Sequence, residues 1–444
     1  MFKVIISKAG NRYIYESLTN QFFAMDNDSF SRLPGNEGQT KELHSIGEDF
    51  WNSYFSTCTF EEQDILISNE TSSPDTCPEL LVLEVTQQCN FRCKYCIYSG
   101  TYKYERLHSS INMEPSYADT IIDRYFSNDK CPGYVSFYGG EPLMNFSLIR
   151  YVVNRITEKK RQPVYTLTTN GIFLLDDYIL DYLVQNAFNI NISYDGVNHD
   201  KYRKTVNGIA TRETVYSVIK KIYDMYPEFA KDHLSISVTL APPCDWAANA
   251  IHFNEDPILS NLRIMVNLVN NTDTSFFTDY ETNDQVETYH SEFQMLMDEY
   301  IDSSIPLPFH EGIFDQTFRM IDERDSVFGL YQYPPGFCTP FQHRIFITAD
   351  GKIRMCERVG EYGEEHQFER VSDQYNKVTG DMHALAKQKC HSCICNRLCG
   401  LCYSSFRRGN SMGDNLYIKK TCDEYRIWFE RMLYMYVSKK EVSG

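Results

Sequence analysis

The sequence predicts an α/β fold, with parallel strands and helices outside them, between a small β-rich start and a cysteine-rich end. Three observations predict it. Strand-like apolar runs alternate with helix-like segments from Leu80 to residue 270. Polar motifs recur just after those strands, where parallel α/β barrels carry their chemistry. Eleven of the 15 cysteines bunch at 89–96 and 338–422 instead of spreading as a small disulfide framework would.

Taken in order, residues 1–78 open with three short strands, Lys3–Ser7, Arg12–Glu16 and Gln21–Asp26, broken by Gly10-Asn11 and Thr19-Asn20. A helical patch is expected at Leu43–Phe55, and the polar, proline-containing stretch 68–79 reads as a linker. Strands follow at Leu80–Val85, Tyr134–Tyr138, Tyr165–Thr168, Ile190–Tyr194, Leu234–Leu240 and Ile264–Val269. Helical spacing appears at Tyr117–Phe126, Leu148–Ile156, Tyr178–Phe188 and Thr214–Met225. Residues 79–270 therefore form one domain of six βα units. Residues 271–335 are acidic and helical, clearest at Tyr289–Ile301, and read as a connector. Residues 336–424 form a cysteine-rich domain with little periodicity, and a helix near Tyr425–Val437 lies in the closing segment 425–444.

The net charge of −17 argues against nucleic acid as the main partner. No run approaches the roughly 18 apolar residues that a membrane span needs. The N-terminus is broken by Lys3, Lys8 and Arg12 and has no signal-peptide core. Clustered cysteines without such a peptide imply metal ligation in a reducing compartment, the cytoplasm.

Cys89-x3-Cys93-x2-Cys96 places three thiols on one loop after the first strand of the series. A cubane [4Fe–4S] cluster normally takes four thiolates, so three leave one iron open to another ligand. The alternative, a structural zinc site, wants four closed ligands, and no fourth is nearby. With Tyr95, Gly139-Gly140-Glu141-Pro142, Thr169-Asn170-Gly171 and Ser193-Tyr194-Asp195-Gly196, this loop resembles the radical S-adenosylmethionine (SAM) superfamily over roughly residues 80–270. The resemblance implies a partial (β/α)6 barrel, a cluster on Cys89, Cys93 and Cys96, and SAM chelating the fourth iron. Gly139, Gly140 and Glu141 would meet the SAM amino group. The backbone near Tyr95 would read adenine. Asn170 belongs to the third-strand motif, and Ser193 and Asp195 would bind ribose hydroxyls or the methionine end.

Cys338, Cys356, Cys390-x2-Cys393-x5-Cys399-x2-Cys402 and Cys422 resemble the SPASM extension of radical SAM peptide-modifying enzymes, with x2 standing where that pattern has x3 before the last internal cysteine. This implies two auxiliary [4Fe–4S] clusters, three in all. Cys338, Cys356 and Cys402 would hold the first; Cys390, Cys393, Cys399 and Cys422 the second. The first lacks a fourth thiolate, because Arg344 stands where some relatives place one. Its open iron would take a substrate thiolate, with His343 as a rival ligand. Cys395 reads as a bystander, and a pair of zinc ribbons is the alternative for the block.

Asn198–Arg203 with Asn207-Gly208, and Ser237–Pro243, resemble maturases of cysteine-rich ribosomal peptides, of sactipeptide or ranthipeptide type. That implies thioether formation on a precursor peptide. Residues 1–78 would be a winged-helix-like element binding the leader as an added strand, or else a plain extension packed on the barrel. A flavodoxin or ferredoxin would supply electrons. The alternatives are a sulfatase-type maturase making formylglycine, with Glu357 in the place of its base, and an enzyme forming carbon–carbon or carbon–oxygen crosslinks or epimerising residues. A non-enzymatic metal scaffold would leave the GGEP and SYDG motifs without purpose.

Overall fold

A computed structural model describes residues 2–25, 66–67, 77–127, 131–241, 244–269, 273–279, 283–324, 329–336, 341, 343–358, 371–409 and 411–443. The expected helical patch at 43–55 and most of the 68–79 linker lie outside these residues.

The strands, in chain order, are β1 (Phe2–Ile6), β2 (Arg12–Glu16), β3 (Gln21–Met25), β4 (Leu66–Ile67), β5 (Leu80–Thr86), β6 (Tyr134–Gly139), β7 (Val164–Thr169), β8 (Asn189–Ser193), β9 (Leu234–Leu240), β10 (Arg263–Leu268), β11 (Leu330–Tyr331), β12 (Arg344–Ile347) and β13 (Ile353–Arg354). A short β14–β15 hairpin, Arg407–Arg408 with Ser411–Met412, follows. All six strands expected between 80 and 270 form, each end within one residue of its apolar run. The central sheet runs β10-β9-β8-β7-β6-β5-β12-β13. β5 to β10 are parallel neighbours in sequence order, the order of a barrel wall left open.

The sequence pattern missed β12 and β13. The run Arg344–Ile347 is too short to show a period, yet it joins β5 in parallel and carries the cysteine-rich region onto the central sheet.

Side-chain alternation gives the two faces of this wall opposite characters. Leu83, Val85, Phe137, Leu167, Ile190, Ile192, Ile236 and Val238 pack outward in one apolar core with the helices. Helix Arg212–Met225 contributes Val215, Val218, Ile219 and Ile222, a single stripe at helical spacing. The other parity carries Ser136, Tyr138, Thr166, Thr168, Asn191, Ser193, Ser235, Ser237 and Thr239. A packed barrel would fill this inner side with branched apolar residues. Here it is a polar wall, suited to a lumen holding polar ligand and water.

Helices Asn283–Asp302 and Pro308–Asp322 follow, the second lying on β10. β1, β2 and β3 form an antiparallel sheet that docks on the closing helix, Asn415–Ser443. Tyr15 meets Phe429 edge-on at 5.8 Å, and Phe22 stacks on Tyr436 at 4.8 Å. Glu441 Oε1 accepts from Ser7, Asn11 and Tyr13. Fully buried Arg397 locks the same sheet to the cysteine block by donating to the carbonyls of Ser17, Leu18 and Gly329. Among the described residues no helix is long and apolar enough to cross a membrane.

Candidate active site

The three-cysteine loop leaves the C-terminal end of β5 and is held from both sides. On one side it is laced to residues 202–206. Arg92 N–H donates to Lys204 O at 2.8 Å, Lys94 N–H to Tyr202 O at 3.0 Å, and Val206 N–H to Asn90 O at 3.0 Å. The Asn198–Arg203 segment completes this brace. His199 Nδ1 accepts from Asp195 N–H at 3.2 Å, and Asp200 Oδ1 accepts from Thr211 and Arg212 N–H.

On the other side stand the glycines ending β6. Gly140 N–H donates to Thr86 O at 3.0 Å, and Glu141 N–H to Gln88 O at 2.7 Å. A Cβ at Gly139 would lie 2.1 Å from Thr86 O, and one at Gly140 would lie 2.1 Å from Gln88 O. Gly139 also has φ +148°, which L side chains rarely adopt. The pair therefore answers first to the close approach of the loop backbone.

A cavity of about 160 Å³ opens where these parts meet. Cys89, Cys93, Tyr95, Cys96, Gly139, Gly140, Glu141, Asn170 and Ser193 all line it. Glu141 is buried, and its carboxylate is already engaged. Oε1 accepts from Leu143 N–H and Thr169 Oγ1, and Oε2 from Asn170 N–H at 2.7 Å. Burial nonetheless pushes its pKa up. Glu141 thus ties the second-strand motif to the third. Asn170 Nδ2 continues the chain to Asn90 Oδ1 on the cysteine loop.

Asp195 is placed differently from the sequence expectation. It is fully buried, and both oxygens are taken: Oδ1 accepts from Thr239 N–H at 2.9 Å and Oδ2 from the Tyr95 hydroxyl. It stands behind the cavity wall, leaving Ser193 as the fourth-strand side chain on the lining. Tyr95 also accepts from Arg203 Nη1 at 2.9 Å. Arg203 lines the cavity, is 7% exposed, and has a buried Nε without a hydrogen-bond partner.

The thiols fit iron–sulfur ligation. Cys89 Sγ accepts from Phe91 N–H and Cys96 Sγ from Tyr98 N–H, each at 3.4 Å. Such bonds favour the thiolate. Burial opposes it, raising Cys89 to about 12 and Cys93 to about 11, while nearby Arg203 pulls Cys93 down. A metal centre deprotonates its thiols on binding, which offsets that burial cost. Among the described residues no three His, Cys, Asp or Glu converge as ligation of one metal ion requires. A cubane makes a different demand, because its thiolates are distributed over several irons.

In the C-terminal block, burial comes first in raising Cys356 to about 12, with Glu357, Cys402 and Arg344 close enough to act on it. Glu357 Oε1 accepts from Arg344 Nη1 at 2.5 Å, and its Oε2 is buried without a partner. His343 Nδ1 lies 3.1 Å from Glu79 instead. Cys390, Cys393, Cys399 and Cys422 influence one another's ionisation, and Arg426 Nη2 approaches Cys393 Sγ at 3.9 Å. Cys395 is buried beside Cys393 and draws the Cys393 thiol down. Cys338 lies outside the described residues. Sequence reasoning assigned no role to Arg203, Tyr98, Tyr138 or His108, all on the cavity. Tyr138 had one available signal, its inward parity immediately before Gly139.

The radical SAM superfamily profile matches residues 83–239, the stretch carrying β5 to β9 and the cavity. These residues form a radical SAM domain. The chain is 22% identical over 371 residues to a radical SAM cyclopropyl synthase of Paramaledivibacter caminithermalis, covering 79% of this chain and 73% of that protein. It is 28% identical over 147 residues to a cysteine-type anaerobic sulfatase-maturating enzyme of Clostridium novyi, covering 32% of this chain and 39% of that protein. The structure resembles native anSMEcpe with bound AdoMet (TM-score 0.57, 17% identity, 82% of this chain, 99% of that one). It also resembles Streptococcus suis SuiB bound to precursor peptide SuiA (TM-score 0.50, 14% identity, 94% and 98%). These likenesses establish a shared fold for the radical SAM core, the N-terminal sheet and the C-terminal region.

Proposed function

We propose that this radical SAM enzyme is a peptide maturase that takes a hydrogen atom from a residue of a ribosomally made precursor and joins a cysteine sulfur to that carbon. The observation that carries the radical chemistry is the single cavity on which Cys89, Cys93, Cys96, the Gly139–Glu141 turn and Ser193 converge. Cys89, Cys93 and Cys96 would hold the cluster. The backbone of 139–141 would meet the SAM amino group, Arg203 its carboxylate, and Ser193 the ribose. The orphaned Arg203 Nε suits an anionic ligand. When bound, cluster and SAM supply a hydrogen-abstracting radical, and auxiliary clusters supply electron acceptors.

Cys356 and Cys402, with Cys338, would hold the first auxiliary cluster, and Cys390, Cys393, Cys399 and Cys422 the second. Glu357 takes the substrate thiol's proton at Oε2, while Arg344 holds Oε1 and keeps the carboxylate oriented. A precursor peptide is supported by the SuiB likeness and by the polar inner wall. In this reading the leader binds the β1–β3 sheet, a flavodoxin or ferredoxin gives the electrons, and the protein works in the cytoplasm.

The cyclopropyl synthase match, spanning most of both chains, favours a second reading, carbon–carbon ring closure. Reconstituted protein, SAM and reductant are incubated with the short peptide encoded beside its gene. A thioether removes two hydrogens and one alkylatable thiol; ring closure removes two hydrogens and no thiol. An unchanged peptide mass, or an aldehyde on the product, would overturn the thioether proposal.

A further inference from the structure

The two cysteine-bearing regions are joined by a line of aromatic side chains that the proposed chemistry has not used. It begins at Cys96, whose Sγ accepts from Tyr98 N–H at 3.4 Å. The buried Tyr98 ring is held under the Arg106 guanidinium, 3.6 Å from its centroid, and Arg106 is fixed by buried Glu84. Tyr138 lines the same cavity as Tyr98, near enough for each phenol to influence the other's ionisation. Tyr138 then meets Phe346 edge-on at 5.8 Å. Phe346 pairs with Arg354 across the β12–β13 hairpin, so continuing that antiparallel register sets Arg344 opposite Cys356. Arg344 in turn grips Glu357, whose charge is felt at Tyr138.

We propose that Tyr98 and Tyr138 form the electron bridge between the iron–sulfur site of the 89–96 loop and the one at Cys356. This rests on the reading of Cys356 as an auxiliary-cluster ligand. Bond formation at a carbon radical releases one electron on the Cys356 side, and the next SAM cleavage needs one on the Cys96 side. The bridge passes that electron with no bond made or broken in the protein and no proton moved.

The test needs no peptide. Reconstituted protein is fully reduced, freed of reductant and mixed with SAM alone. 5′-Deoxyadenosine per chain is followed alongside freeze-quench electron paramagnetic resonance of the clusters. In the natural chain, product should exceed one per chain as auxiliary electrons drain to the cleavage site. Tyr138→Leu should keep its iron, and its later phase, measured against its own first turnover, should slow about tenfold, with the auxiliary signal persisting. Tyr138→Phe, which keeps the ring, should drain nearly as the natural chain does. An unchanged later phase in both Tyr138→Leu and Tyr98→Leu would overturn the bridge. Cys356→Ser should lose iron and shrink the later phase. If it keeps both, the ligand reading fails, and the bridge fails with it.

Discussion

Gly140→Ala isolates the packing that builds the cysteine loop. The added Cβ would sit 2.1 Å from Gln88 O and 3.0 Å from Cys89 Cβ. Contacts under 3.0 Å are essentially never seen for a Cβ, so the β6 turn and the loop must part by about 0.9 Å. The obstacle is backbone, which no side-chain rotation relieves, and it adjoins a cluster ligand. Misplacing reacting groups by about 1 Å costs on the order of 100-fold in rate. The variant should therefore fold, bind less iron, and cleave SAM roughly 100-fold more slowly under dithionite. Iron content, circular dichroism and 5′-deoxyadenosine formation measure the three effects. Natural iron content together with natural cleavage in Gly140→Ala would refute the claim that close approach at Gln88 positions the loop.

Burial and the neighbouring arginines hold His199 down to about 2, far below an unfolded histidine, so the folded state binds fewer protons. Its contribution is present above about pH 6.5 and lost as pH falls from there towards 2; by pH 5.5 the loss is roughly 1.5 kcal/mol. Buried Glu141 and Asp195, both raised, act in the opposite direction, so the measurement is the difference in urea midpoints between the natural chain and His199→Gln at pH 7.5 and 5.5. An identical pH response in the two proteins would contradict the assignment. Arg397→Leu strips the donor from three carbonyls and should cost about 3 kcal/mol, with faster amide exchange in residues 12–25; slow exchange there would mean that the sheet is held by other contacts. Gly380 lies mid-helix with open space around its Cβ position, so Gly380→Ala should stabilise by about 0.5–1 kcal/mol in urea unfolding. Cys356→Ser should lower iron by about four per chain while Cys395→Ser leaves it unchanged; iron assay of the two variants separates ligand from bystander.

The six core strands were legible because their outward faces are apolar with a period of two, and that face is what the helices bury. β12 was not, because four residues carry no period and its partner strand lies some 260 residues earlier in the chain. The cavity lining was legible as motifs, but its internal bonding was not. The carboxylates of Glu141 and Asp195 look like ligand contacts in sequence, and each is instead consumed by protein donors. Nothing local to Asp195 announces Tyr95, which reaches it from 100 residues away. Arg203 escaped for the same reason: its meaning depends on Cys93, Tyr95 and Asp195 meeting around it.

The brace at residues 198–206 changes what that segment says about substrate. Its backbone serves Arg92, Lys94 and Asn90, and its His199 and Arg203 serve Asp195 and Tyr95. Any chemistry launched from this loop needs that brace, so its resemblance to one class of maturase speaks for the loop and leaves the bond type open. The same holds for the positive charge around the thiols. In a chain of net charge −17, Arg92, Arg106 and Arg203 all bear on Cys96, easing the gathering of thiolates at any cluster held there. What distinguishes one product from another must act on the substrate after the radical forms. Tyr138 on β6 lines the cavity, and behind it stand Phe346 and Arg344 on β12 and Glu357 beyond β13. Glu357 keeps one buried carboxylate oxygen with no partner, and Arg344 holds its other oxygen. That arrangement favours removing a proton from sulfur over donating a hydrogen to carbon. In the proposed thioether reading that oxygen would take the proton from sulfur, a role that epimerisation, which must return a hydrogen atom, would leave unused.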